Sequence, residues 1–247
     1  MIARELRGAR WKLIIAAVGA VPAVLIVAAY LPPYETTGRI VERFTDEAAL
    51  GHILNVYGGG GVALALLAIL LGALTVAEEV GRGTIYLLLS KPISRTRVLL
   101  TKYAISAGIL LSAAVFGHAV LIVAAVARGY PPGLLSAYGA VLSTALMWLG
   151  SLSVLGMAII FSVLCRHALV SAAATFVAAY LILYVLPGYA ELIVPYDILE
   201  RVAPLYSWTS AALYAGDGLA LLNFIACFAV AAVLLATLLW LFRRKAF

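Results

Sequence analysis

The sequence predicts an all-α membrane protein. Six transmembrane helices are joined by an interfacial N-terminal helix, a short cytoplasmic helix between spans 2 and 3, and an external re-entrant segment between spans 5 and 6. Three observations predict it. Of 247 residues, 65% are apolar and 11% charged, and mean hydropathy is +1.11, far from the roughly 45–50% and 25% of soluble globular chains. Apolar runs of the ~20 residues that cross a bilayer recur along the whole length. The one long charged interruption, Ala77 to Tyr103, sets five basic and two acidic residues between two such runs.

The spans fall at about 12–31, 60–77, 99–127, 135–163, 168–187 and 219–242, within a single transmembrane domain covering 1–247. The first follows Arg4, Arg7 and Arg10, as a signal peptide would. Its apolar core, Leu13 to Ala29, exceeds the roughly 7–15 residues of a signal h-region, so a retained helix is expected. Pro22 kinks that helix without ending it.

Basic residues set the orientation. With a cytoplasmic N-terminus, 13 of the 17 Lys and Arg lie inside and only Arg39, Arg43, Arg128 and Arg201 outside. Most acids lie outside, among them Glu35, Glu42, Asp46, Glu47, Glu191, Asp197, Glu200 and Asp217. Both termini are then cytoplasmic. The net charge of +6 is a topology signal, and no nucleic-acid partner is expected. Cys165 and Cys227 sit in or beside spans, where a structural disulfide is not expected. Cys165 with His167 falls short of the three or four ligands of a zinc site, so no metal is expected.

Residues 2–11 place Ile2, Leu6 and Ala9 on one helical face and Arg4, Arg7 and Trp11 towards the other. This reads as a helix lying in the interface or, equally, as a basic flank of the first span. In the first external loop, Leu31 to about Val56, the residues Ile40, Val41, Phe44, Ala48, Leu50 and Ile53 suggest a short amphipathic helix. Gly58 to Gly61 lacks the strand before it and the Lys-Ser/Thr after it that a phosphate loop needs, and reads as a flexible lead-in to the second span. Between the fifth and sixth spans, YSWTSAALYAGDG is too polar to cross but apolar enough to dip into the outer leaflet.

The charged interruption has its own local logic. Glu78 and Glu79 close the second span, and Gly81 and Gly83 let the chain turn. Thr84 caps a short helix, Ile85 to Ser90, with Ile85, Leu88 and Leu89 on one face. Pro92 ends it. Ser94 caps the third span, with Arg97 where a capping box would have Glu or Gln. A plain positive-inside loop needs neither the apolar cluster nor the paired carboxylates.

E-x-x-x-G-T, a leucine-rich run and then K-P-I-S-R resemble the cytoplasmic loop of ABC transporter permeases of the type 2 exporter class. Glu79, Gly83, Thr84, Leu87, Leu88, Leu89, Pro92, Ser94, Arg95 and Lys102 stand at the matching positions. The resemblance implies a membrane-spanning subunit in the plasma (cytoplasmic) membrane of a prokaryote. It would pair with a second permease copy, as homodimer or heterodimer, and dock this loop on an ATP-binding cassette ATPase. The chain has no G-x-x-x-x-G-K-S/T sequence, so ATP and Mg would be bound by that separate ATPase, leaving no cofactor and no enzymatic activity here. Ile85, Leu88 and Leu89 would supply buried contact, and Glu79, Arg82, Arg95 and Arg97 would set register; Glu78, Gly83, Thr84, Pro92 and Ser94 complete the expected docking site.

For a substrate path, carboxylates, lysines and arginines read as absent from the spans, and His118 is the only ionisable side chain well inside one, cysteines and tyrosines aside. Their absence favours an external energy source over proton or sodium coupling. His118 is either a substrate contact or a neutral histidine bonded to a neighbouring helix. Phe176, Tyr180 and Tyr184 form a stripe at helical spacing. In the resembled family this helix lines a central cavity, which suits hydrophobic or amphipathic cargo such as lipids, drugs, peptides or polysaccharide precursors; packing or lipid contact explains the stripe equally well. Some relatives instead serve copper-enzyme maturation or transmit force to an extracytoplasmic partner. A membrane-embedded enzyme is disfavoured, because H-E-x-x-H, G-x-S-x-G and paired intramembrane aspartates are missing. A stand-alone secondary carrier or channel would show polar pore-lining residues or two broken helices in related halves.

Overall fold

The computed structural model describes residues 46–81, 83, 94–130, 137–165, 167–181 and 218–244. Among them every regular element is helical: α1 Asp46–Gly81, α2 Arg95–Ala127, α3 Ala137–Leu164, α4 Ala168–Tyr180 and α5 Gly218–Arg244. Four helices contain stretches long and apolar enough to cross a membrane, at Ala63–Gly81, Arg95–Ala127, Ala140–Leu164 and Cys227–Arg244. These match the second, third, fourth and sixth predicted spans. The fifth is represented by the 13 residues of α4. The first span, the interfacial helix at 2–11, the helix at 85–90 and the re-entrant segment lie outside the described residues.

Helix α3 is the axis of the bundle and packs against all four other helices. In its span 78% of the residues are buried, against 22% in α5, which lies at the periphery. Small residues allow the close approach. A Cβ at Gly72 of α1 would overlap Ala158 of α3, and one at Gly156 would stand 3.1 Å from the Cβ of Leu234 on α5. Lipid tails are as apolar as leucine, so helices in a bilayer associate through such tight contacts rather than through the hydrophobic effect. Leu99, Leu110, Leu155, Ile159 and Leu238 fill the interior. Val115, Val123, Val141, Leu169 and Phe228 face outwards, an apolar exterior that only lipid or another apolar partner can cover.

Hydroxyls on the outer and half-buried faces of the helices bond within their own helix: Thr101 to Arg97 O, Ser112 to Gly108 O, Thr144 to Ala140 O and Thr237 to Val233 O. Trp148 Nε1 instead crosses to Ala107 O at 2.9 Å and ties α3 to α2.

Two expectations are corrected. Gly58 to Gly61 is not a flexible lead-in; it lies within the continuous 36-residue α1, which also absorbs the second half of the expected external loop. Glycine costs up to about 1 kcal/mol per helical residue. Breaking the ladder next to an apolar span strands backbone polar groups away from water at greater cost, so the helix continues. The second correction concerns buried charge. Lys102 is 6% exposed inside α2, where no lysine was expected to be buried. Glu79, in the last turns of α1, is its partner.

Candidate functional site

The charged segment hangs between the C-terminus of α1 and the N-terminus of α2, so those two ends determine where it can be presented. Gly83 sits beyond α1 at φ +69°, the left-handed region that glycine adopts without a Cβ clash, and its N–H donates to Val80 O at 3.1 Å. Ser94 begins α2 in an extended conformation, and its hydroxyl accepts from Arg97 N at 3.3 Å. The cap read from the sequence is therefore present, without a capping box.

A buried ion pair ties the two ends. Lys102 Nζ lies 2.5 Å from Glu79 Oε1 and donates to Thr75 O at 3.2 Å. An ammonium at a helix end inside apolar surroundings is tolerated only when paired, and here a carboxylate and a carbonyl share it. Thr75 in turn donates to Leu71 O at 2.6 Å. The pair fixes the C-terminal turns of α1 against the third turn of α2, so the two ends of the segment are held at a set separation.

Other elements converge on the same end of the bundle. Ser162, near the C-terminus of α3, accepts from Val76 N at 3.0 Å and Ala77 N at 2.7 Å, and donates to Ala73 O at 3.0 Å. Arg243 Nε, at the end of α5, donates to Thr96 Oγ1 at 3.2 Å. The neighbouring Arg244 stacks 4.3 Å from the centroid of the Trp240 ring. Four helix termini thus meet at one end of the bundle.

Of the residues expected at this site, Glu78, Glu79 and Gly83 lie at or just beyond the end of α1, and Ser94, Arg95 and Arg97 at the start of α2. Arg95 and Arg97 are exposed, while Glu78 and Glu79 are half-buried. Arg82, Thr84, Ile85, Leu88, Leu89 and Pro92 lie outside the described residues. Glu79, expected to help set register on the ATPase, is paired within the chain with Lys102. Thr75 and Ser162 were missed because single hydroxyls in apolar helices carry no local signal, and Thr96 because its partner lies 147 residues away. Lys102 carried one, a cation within an apolar run, and its partner lies 23 residues away in sequence.

The candidate substrate residues do not come together with this face. Phe176 and Tyr180 are both half-exposed on the outer side of α4, opposite the buried Ser171, Thr175 and Ala179. Tyr184 lies outside the described residues. His118 is buried in α2. Among the described residues no group of three His, Cys, Asp or Glu is placed to hold a metal ion.

Comparison with known proteins agrees with the resemblance carried by the charged segment. The model of a family described as ABC-2 family transporter protein matches residues 3–246, nearly the whole chain. No curated protein matches.

Proposed function

The chain belongs to the ABC-2 transporter family and is the membrane subunit of an ABC transporter; from that premise we propose that it exports a hydrophobic or amphipathic substrate, driven by a separate ATPase docked on residues 78–97. The observation that carries this reading is the tied pair of helix ends. A docking segment can pass force into the membrane only if its two attachment points move as one body. The Glu79–Lys102 pair links those points directly. Ile85, Leu88 and Leu89 would enter a cleft of the ATPase, and the exposed Arg95 and Arg97 would orient it. The outward aromatic face of Phe176 and Tyr180 suits a cavity shared with a second permease copy.

The direct test is purification of the tagged chain from its native membrane. A stoichiometric P-loop ATPase is expected with the unsubstituted chain and is expected to be lost with Leu88→Asp, while the permease itself still accumulates. A chain that purifies without an ATPase points instead to a stand-alone carrier.

A further inference from the structure

Helix α1 is continuous, but at a single turn its backbone groups are bonded from outside the helix. In an undistorted helix Ala77 N–H donates to Ala73 O, and Val76 N–H to Gly72 O. Ser162 stands between these groups: its hydroxyl accepts from both amides and donates to Ala73 O. A foreign hydroxyl on both sides of one rung is among the few established causes of a local helix bend. Two more carbonyls of the same stretch are shared with side chains, Leu71 O with Thr75 and Thr75 O with Lys102. Such sharing weakens the ladder further.

The neighbouring residues make this turn a pivot. Just before it, Gly72 crosses Ala158 without room for a Cβ, so α1 cannot slide against α3 there. Just after it, α1 runs only to Gly81 before the left-handed Gly83 and the charged segment. Ala158 and Ser162 are one helical turn apart on α3, so the same face of the central helix supplies both fulcrum and inserted hydroxyl.

We propose that Ser162 is a positioning residue for coupling: its hydroxyl keeps α1 open at residues 73–77, so that the segment from Val76 to Gly81 swings as a lever on α3 when the docked ATPase moves. This rests on the coupling reading above. The Lys102 contacts to Thr75 O and Glu79 carry the start of α2 with the lever, so that the two attachment points still move as one body. Removing the hydroxyl strands no group, because Ala77 N–H and Ala73 O can then bond to each other. Ser162→Ala therefore folds, with a straighter and stiffer α1.

The test uses the whole complex, permease with co-purified ATPase, in lipid. Spin labels are placed at Gly81→Cys, the end of the lever, and at Ala236→Cys on the outer face of α5, with Cys165→Ser and Cys227→Ala removing the native thiols. ATP with vanadate is expected to shift the interlabel distance in the Ser162 complex. Ser162→Ala is expected to lose most of that shift while keeping the ATPase bound and hydrolysing ATP, and Ser162→Thr, which restores a hydroxyl, to regain it. An equal shift in Ser162→Ala, or no shift with Ser162 present, overturns the proposal. Failure of Ser162→Ala to accumulate overturns it too, since the hydroxyl would then be a structural tie. If the unsubstituted chain brings no ATPase with it, the exporter reading fails first and the proposal falls with it.

Discussion

At the scale of single residues, Glu79 and Lys102 carry the most consequence. One is a quarter exposed and the other buried, so the loss of either leaves a charge in surroundings that solvate it poorly. Lys102→Met is expected to cost about 2 kcal/mol, the worth of a hydrogen-bonded charge left without its partner, read as a lower unfolding temperature in detergent. Removing both charges, Glu79→Leu with Lys102→Met, is expected to recover much of that loss, because a well-packed apolar pair often replaces a buried ion pair at little cost. If the double substitution is as unstable as the sum of the two singles, the residues are not coupled and the pair does not bind the helix ends. Ser94 is a smaller case: Ser94→Ala is expected to cost about 1 kcal/mol through loss of the cap, measured the same way. Ser94 was legible in the sequence because a cap is local, set by a hydroxyl and an amide three residues apart. The ion pair was not, because nothing in a linear sequence states which carboxylate a lysine 23 residues away will meet.

At the scale of elements, helix positions were readable from apolar runs, and the ends of α2, α3 and α5 fall within a few residues of expectation in most cases. The start of α1 was misread because glycine was weighed as it would be in water. Near a bilayer the unsatisfied backbone outweighs the glycine's flexibility, and the helix runs from Asp46 through the four glycines. Gly72 shows the opposite use of the residue: it is there for closeness, not for freedom. Gly72→Leu is expected to force α1 and α3 apart and destabilise by about 1–3 kcal/mol or more, as overpacking does in other well-packed interiors; undiminished accumulation and thermal stability would mean that the crossing is looser than described. On α4, Phe176 and Tyr180 share the exposed face. Tyr180→Ala is expected to change which hydrophobic substrates are carried without affecting ATPase binding, measured by transport into vesicles with a panel of substrates. Identical transport of every member would assign the stripe to packing or lipid contact.

At the scale of the whole molecule, the described residues gather several polar contacts at one end. The termini of α1, α2, α3 and α5 meet there through Glu79–Lys102, Ser162–Ala77 and Arg243–Thr96, and α3 lies at the centre of the packing. The sequence announced the charged segment but not this convergence, which depends on hydroxyls and a buried lysine drawn from four helices. The proposed docking on residues 78–97 makes a geometric demand: the ATPase would contact that end of the bundle. Site-specific photo-crosslinking in the native membrane measures this directly. A photoreactive amino acid at Arg95, exposed at the start of α2, is compared with one at Val126, exposed at the far end of the same helix. A covalent adduct with a P-loop ATPase at position 95 and none at 126 is the predicted result. An adduct at 126, or no adduct at either position from a membrane in which the transporter is active, would contradict it.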